Sequence, residues 1–424
     1  MRIAIIGTGI AGNTAAWKLR DRHDITVYES AGYVGGHTNT IDVDEQGRPL
    51  AVDTGFIVFN DRTYPNFIAM LEEIGQDWQD SEMSFSVHSE DRRIEYNGSS
   101  LNGLFAQRRN LLRPSFYRMV SDILRFNRDA VSDIQDFGRQ LTLGEYLSAR
   151  NYSKQFADDY LVPMIAAIWS AEPVSVYDMP ALFLVRFFKN HGLLQLKDRP
   201  QWRVIKGGSR EYVRRLVAAH RENIRLNSPV TSVTRYADGV ELTSASGGRE
   251  KYDCVFVACH SDQALALLTD PTPAEEAVLG AIQYQGNEAV LHTDISALPR
   301  SRRAWAAWNY FLPSGAKDHV AVSYNMNILQ GLNTEETYIV TLNDDSRIDP
   351  ARIIKRIQYD HPMYTLDTIT VQMRQEEINC ERTFYCGAYW RNGFHEDGVV
   401  SALNAVRHFE ENLAYAERHL RRAG

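Results

Sequence analysis

The stretch Arg2-Ile3-Ala4-Ile5-Ile6-Gly7-Thr8-Gly9-Ile10-Ala11-Gly12 decides the fold. Arg2–Ile6 reads as a short buried strand, and the glycines that follow read as a tight turn. A helical pattern over Ala11–Arg20 comes next, then a second strand, Ile25–Tyr28, that ends at Glu29. Gly7 permits the turn, Gly9 lets the backbone approach a pyrophosphate, and Gly12 lets the helix pack on the strand. The helix start at Ile10 and Ala11 offers unpaired N–H groups and a positive dipole end to phosphate. Glu29 lies 22 residues after Gly7, at the spacing of an acid that takes the ribose hydroxyls of FAD or NAD. A βαβ unit of this kind predicts a parallel sheet with right-handed crossovers.

Beyond about residue 76 the pattern changes. Met83–His88 and Arg92–Tyr96 alternate like a hairpin, and helices are expected over Ser115–Ile134, Leu143–Ala149, Ser153–Ser170 and Met179–Asn190. A βα pattern returns at Arg203–Ile205, with a helix over Arg210–Arg221. Strands Val230–Tyr236, Gly239–Thr243 and Asp253–Ala258 and a helix over Ser261–Leu268 follow. Glu288–His292, Ala304–Phe311, Val320–Tyr324 and Thr337–Leu342 read as an antiparallel block. The chain then closes with a strand, Thr383–Tyr385, and a helix from about Gly398 to Leu420. The expected fold is α/β: a discontinuous Rossmann-like dinucleotide domain (1–75, 201–285, 376–424) around an inserted α+β substrate domain (76–200, 286–375).

Composition narrows the function classes. The 424 residues carry 46 Lys and Arg against 54 Asp and Glu, a net charge of −8 that argues against nucleic-acid binding. At 44% hydrophobic residues the chain reads as globular, with two or three domains. Cys254, Cys259, Cys380 and Cys386 form neither a CxxC nor a disulfide framework, which points to a reducing, cytoplasmic setting. Met1 leads straight into a strand, with no secretory pattern. The most apolar window, Tyr160–Phe188, is interrupted by Pro163, Glu172, Pro173, Asp178, Pro180 and Arg186, so no membrane span is expected. No His/Cys cluster has metal-ligand spacing, and no metal site is expected.

Further motifs separate FAD from NAD. Glu29-Ser30-Ala31-Gly32-Tyr33-Val34-Gly35-Gly36-His37-Thr38 sets a Gly-Gly doublet after the acid, and Val52-Asp53-Thr54-Gly55-Phe56 offers Gly55 as bare backbone for a flavin ring. In this order the elements resemble the flavin amine oxidase superfamily, which spans amine oxidases, protoporphyrinogen oxidase and carotenoid desaturases. Lys206-Gly207-Gly208-Ser209 looks like its second Gly-Gly turn, Asn227-Ser228-Pro229-Val230 like the strand whose Val backbone meets adenine, and Tyr252–Cys259 like the strand that re-enters the FAD domain. Phe384-Tyr385-Cys386-Gly387 through Gly393-Phe394-His395-Glu396-Asp397-Gly398-Val399 resembles the closing flavin motif, in which a helix dipole steadies charge on the reduced ring.

The resemblance implies FAD held by Gly7, Gly9, Ile10, Ala11, Gly12, Glu29, Gly36, His37, Thr54, Gly55, Val230, Gly387, Gly398 and Val399, and with no separate Cys motif for covalent attachment the FAD is expected to be noncovalent. Two positions depart from the family. His37 follows the doublet where Arg is common, as in some mutases that isomerise UDP-galactose. Ala388 replaces the acid usual after Gly387, which leaves Glu396 or Asp397 to make the ribityl or phosphate contact. Val52–Asn60, Asn190–Leu194 and Tyr389–Gly398 also look like a bacterial subgroup associated with cyclopropane-fatty-acid-synthase-like methyltransferases and with furan fatty acid desaturation. That resemblance implies a lipid substrate, an acyl chain on a phospholipid.

Flavin accepts the hydride itself, so catalytic residues are sparse: the candidates are His395, beside the closing motif, and His191, before Gly192. Cys386 adjoins Gly387 and is a candidate flavin neighbour. Leu161–Phe188 is a candidate acyl tunnel or an ordinary helical core. Ser115–Ile134, with Phe116, Met119, Val120, Ile123 and Leu124 interleaved with Arg118, Arg125 and Arg128, is a candidate for peripheral contact with the inner membrane face, although Asp122, Asp129 and Asp133 dilute its charge. Arg418, Arg421 and Arg422 match the negative end of the last helix. The expected activity is FAD-dependent desaturation of an unsaturated or methyl-branched acyl chain. The alternatives are an amine oxidase with an aromatic cage from Trp305–Phe311, a sugar-nucleotide mutase, and a cofactor-bound scaffold without turnover.

Overall fold

The computed structural model describes residues 1–137, 141–169, 171–315 and 321–423. Ser170 and Val320, the ends of two expected elements, lie outside it, as do the side chains of 135–137 and 416–423 and so those of Arg418, Arg421 and Arg422.

Arg2–Ile6 lies at the centre of a five-stranded, all-parallel sheet in the order Ile224–Arg225, Asp24–Tyr28, Arg2–Ile6, Cys254–Val257, Thr383–Tyr385. Both faces are covered, which is why the strand reads as a continuous apolar run instead of alternating. Ile3 and Ile5 meet the helix Ile10–Leu19 and the closing helix His395–Ala423 through Ala15, Leu19, Ala402 and Phe409. Ala4 and Ile6 meet the layer around Val233, Leu242 and Leu279 on the opposite face.

A second, seven-stranded sheet runs Ile353–Pro362, Tyr284–His292, Ile339–Leu342, Ala321–Asn325, Trp308–Leu312, Phe85–Ser89, Ile94–Asn97. Its pairings are antiparallel except that of Trp308–Leu312 with Phe85–Ser89. Helices Pro114–Phe137, Val162–Trp169 and Ala181–Asn190 share its core. The apolar face of Pro114–Phe137 is turned inward: Phe116 and Met119 are wholly buried and Val120 and Ile123 pack partly against the core, which removes these four from membrane contact and leaves Leu124 exposed.

Several boundaries differ from the sequence reading for local reasons. The helix expected over Ser153–Ser170 contains a π-helical stretch, Ala157–Leu161, just ahead of Pro163, whose missing N–H and ring disfavour regular i→i−4 bonding. Trp202–Ile205 does not join the parallel sheet; it pairs antiparallel with Val58–Asn60 and Trp78–Asp80. The following helix is Arg210–Val217, succeeded by a 3-10 segment with a kink at His220. The closing helix starts at His395, one turn before Gly398. The edge strand Ile353–Pro362 was not anticipated, because Lys355, Arg356, Asp360 and His361 interrupt its apolar residues.

Two carboxylates tie these pieces together. Asp53, wholly buried, accepts hydrogen bonds from Ser209 N (2.9 Å), Ser209 Oγ (2.8 Å) and Thr40 Oγ1 (2.6 Å), at the start of the helix Arg210–Val217. Glu396 accepts from Asn66 N (3.1 Å), Asn66 Nδ2 (2.6 Å) and Phe67 N (2.9 Å), the first turn of Pro65–Glu73. Tyr64, at the cap position of that helix, makes no side-chain cap bond, so a residue 330 positions away satisfies the exposed amides instead.

Removing the Glu396 carboxylate (Glu396→Ala) is therefore expected to cost about 1–3 kcal/mol in urea unfolding. For Asp53, burial raises the carboxyl pKa to about 6, against the ordinary 3.8. Its stabilisation is complete below the ordinary value and is lost as pH rises through about 6. The stability gap between wild type and Asp53→Asn should narrow over that window; a widening gap would contradict the assignment.

Candidate functional site

A cavity of about 410 Å³ runs from the turn Gly7–Ala11 and Glu29, past Gly35–His37 and Thr54–Val58, to Gly387–Tyr389 and Asn392–His395. The glycines of the turn do different jobs. A Cβ on Gly12 would overlap the carbonyl oxygen of Gly7, so Gly12 serves chain packing and not ligand contact. A Cβ on Gly9 would meet nothing within 4 Å, which marks an open cradle at the start of the helix. Gly7 has φ +101°, and its N–H donates to Tyr28 O (2.8 Å), locking the turn to the second strand.

Glu29 is buried at the end of that strand. Its carboxylate accepts from Thr8 N (2.9 Å), from Thr8 Oγ1 and from Ala31 N (2.8 Å). Gly35 N donates to Thr8 Oγ1 (3.2 Å), so the doublet is anchored to the same threonine, and Gly36 sits against Gly9. Thr8 was missed in the sequence reading because the turn pattern is carried by its glycines and assigns no role to the residue between Gly7 and Gly9. Ser228 N donates to Glu29 O (2.8 Å) and Asn227 N to Ala31 O (3.0 Å), which brings the segment leading into Val230 beside the acid. Val230 itself does not line the cavity.

Gly55 lines the cavity, but its need for glycine has another origin: a Cβ there would overlap His37 O, to which Phe56 N donates (2.8 Å). Gly398 and Val399 do not line the cavity either. A Cβ on Gly398 would lie 2.5 Å from Ile10 Cγ2, so this glycine seats the closing helix on the turn. The expected contacts from Glu396 or Asp397 are not made available: Glu396 caps Pro65–Glu73, and Asp397 accepts from Phe394 N (3.0 Å) and Asn392 N (3.2 Å). Burial raises the Asp397 carboxyl pKa to about 7. Cys386 points into the core with Phe384 and Ala402, away from the cavity; Cys259 is the cysteine that borders it.

His395 and His191 are both buried, and burial lowers their pKa values to about 3 and about 4. His395 borders the cavity with Nε2 shared between Tyr212 Oη (2.9 Å) and Thr38 Oγ1 (3.0 Å) and its ring stacked on Phe56. That network holds it as a neutral brace. His191 bonds Phe187 O (3.0 Å) through Nδ1 and stands behind Phe394, outside the cavity.

The residues that the sequence reading overlooked come from the strands beginning at Tyr284 and Ile353. His37 stacks on Tyr359 (4.8 Å between centroids), with His361 at 5.3 Å and His260 at 6.0 Å. His37 Nε2, Tyr364 Oη, Tyr389 Oη and Trp308 Nε1 are buried, unpartnered and all on cavity-lining residues. Polar atoms buried without partners are costly, so Tyr364 Oη, Tyr389 Oη and Trp308 Nε1 fit a bound polar molecule that supplies them. The open cradle at Gly9, the tethered acid and these groups fit a flavin dinucleotide. Among the described residues, no Lys or Arg lines the cavity.

These geometries separate binding from folding. Gly9→Val is expected to fold with the thermal midpoint of ligand-free wild type yet to purify without bound dinucleotide, whereas Gly12→Val should fail to fold. Equal dinucleotide retention in Gly9→Val and wild type would contradict the cradle.

Comparison with known proteins agrees. The family model for flavin containing amine oxidoreductases matches residues 10–292. A Mycobacterium tuberculosis protein named as a flavin-containing monoamine oxidase is 26% identical over 289 residues, covering 63% of this chain and 59%, under two thirds, of the relative. A zeta-carotene desaturase of Synechococcus elongatus is 34% identical over 76 residues, 18% of this chain and 15% of that one. A solved structure named as a protoporphyrinogen oxidase, from an Exiguobacterium species, superposes with TM-score 0.70 at 17% identity over 97% of this chain and 99% of its own, which shows the fold. The chain belongs to the flavin containing amine oxidoreductase family, with FAD as the family's cofactor.

Proposed function

We propose that the protein is an FAD-dependent oxidoreductase that takes a hydride from an apolar substrate, an unsaturated or methyl-branched acyl chain of a lipid. In this reading FAD is held by segments 1–75, 201–285 and 376–424, and the substrate by 76–200 and 286–375. The observation that carries the apolar substrate is the apolar share of the cavity lining: Ile57, Val58, Ile168, Trp169, Leu342 and Phe394 border it, and the carboxylates bordering the whole cavity are Glu29 and Asp360. Ile168 and Trp169 come from the helical run first read as an acyl tunnel, while most of its other large side chains pack in the core. The acyl identity rests on the subgroup resemblance, and the desaturase relative is in keeping with it.

Bound FAD supplies the hydride acceptor. The chain supplies position: Trp169 Nε1 donates to Asn392 O (3.0 Å), and Tyr364 stacks on Phe183 (5.0 Å), which fixes two aromatic rings, Trp169 and Tyr364, on the cavity wall. Desaturation also releases a proton. His37 Nε2, buried, unpartnered and on the cavity wall, is our candidate acceptor. Burial first, then the neighbouring His361 and His260, hold its pKa well below 6.5, so the ring stays neutral and able to accept at mildly acidic pH.

The second reading is an amine oxidase, favoured by the family match. Of its expected cage, Trp308 reaches the cavity and Trp305 does not. A sugar-nucleotide mutase needs cations for a diphosphate, and none lines the described cavity. Anaerobic loss of visible flavin absorbance should follow addition of methylated or unsaturated acyl phospholipids, and not amines or UDP-galactose. Bleaching by amines alone would remove the lipid reading. The bleaching rate should hold as pH falls through 6.5; a His37 with an ordinary pKa would make it fall.

A further inference from the structure

No helix among the described residues is long and apolar enough to cross a membrane, so an acyl substrate resident in a bilayer has to be met at its surface. We propose that the protein docks on anionic membranes through a cap formed by the short helix Leu101–Leu104, the 3-10 turn Arg108–Leu112 and the outer face of the first turns of Pro114–Phe137. The proposal deepens the lipid reading above by naming the surface that would meet the bilayer.

The cap breaks the ordinary rule for a soluble surface. Leu112 is 87% exposed and Leu101 77%, with Leu111, Tyr117 and Leu124 also exposed. Scattered exposed leucines need no explanation, but these five side chains all fall on three consecutive elements, between Leu101 and Leu124. Tyr117 Oη donates to Leu111 O (3.0 Å), and Phe105 packs on Tyr117 and Phe116. The Arg108 guanidinium donates to Phe105 O (2.9 Å) and Asn102 Oδ1 (2.6 Å), tying the turn to the short helix that carries Leu101. Tyr117 and Leu124 lie seven residues apart, on one stripe of the outer helix face.

The charge of the cap opposes that of the chain. From Gly98 to Arg128 there are six arginines and one carboxylate, Asp122, in a protein with net charge −8. Asp122 is buried and spent on Ser153 N (3.0 Å) and Arg125 (3.0 Å). Arg128 is neutralised by Asp129 just beyond. Arg108, Arg109, Arg113 and Arg118 have no carboxylate within 4.0 Å among the described residues, whereas Arg125 and Arg128 on the same stretch do. Exposed leucines flanked by arginines whose charge no carboxylate offsets are what an anionic interface selects: apolar side chains enter the headgroup boundary while guanidiniums meet phosphates at its surface. Nucleic acid would use the arginines but leave the leucines unexplained.

The test is co-sedimentation of the FAD-loaded protein with vesicles of phosphatidylcholine alone and of phosphatidylcholine with one quarter phosphatidylglycerol. Binding should require the anionic lipid and weaken as salt shortens the screening length. Arg109→Glu with Arg118→Glu, and separately Leu101→Glu with Leu112→Glu, should each weaken it at least about tenfold with flavin content and thermal midpoint unchanged. Equal binding to both vesicles, no binding to either, or intact binding by both double variants would overturn the proposal. So would a concentration-dependent dimer abolished by Leu101→Glu with Leu112→Glu, which would assign the cap to a second copy. The assay involves no turnover, so binding without acyl-dependent flavin bleaching would retain the docking surface and reject the substrate, and the reverse outcome would do the opposite.

Discussion

The structure depends on the close approach of backbone around Gly7–Gly12. The turn leaves no room for a side chain at Gly12, and the closing helix leaves none at Gly398, where a Cβ would press on Ile10. These two contacts fix the start of the first helix beside the first turn of the last, nearly the full length of the chain apart. The consequence is functional. The amides left unpaired at a helix start face an open space in front of Gly9, bounded on one side by Gly36 and on the other by the closing helix. A dinucleotide cradle is what remains when the packing is satisfied.

Buried carboxylates play a similar structural part. Asp53 and Glu396 sit in motifs that suggest ligand contact, yet each satisfies amides at the start of a helix far away in sequence. Their exposure to the cavity would cost those helices their first hydrogen bonds. Glu29 differs because its oxygens are held by Thr8 and Ala31 beside the open cradle, where a ribose can join the same network. The histidines divide in the same way. His395 is enclosed by Tyr212, Thr38 and Phe56, whereas His37 keeps a ring nitrogen without a partner on the cavity wall.

Much of this was legible in the sequence where one local rule governed. Arg2–Ile6, Ile10–Leu19 and Asp24–Tyr28 fall where the apolar runs and glycines place them, and Glu29 ends its strand as its spacing requires. The reading failed where tertiary context decides. Nothing local says that Glu396 caps Pro65–Glu73, that Gly55 is small because of His37 O, or that Cys386 faces the core. The strand Ile353–Pro362 was missed because an edge strand carries charge, and with it went Tyr359 and His361, two of the residues around His37. The Pro114–Phe137 helix was amphipathic as expected, but its apolar face belongs to the core, and the exposed leucines gather in the turn before it.

The most direct measurement of the central claim is an anaerobic single-turnover reaction of the FAD-loaded protein with an acyl phospholipid deuterated at the allylic position. The account predicts flavin reduction slowed by a primary isotope effect and a product with one additional carbon–carbon double bond. Flavin that stays oxidised with the acyl lipid while an amine reduces it would contradict the account.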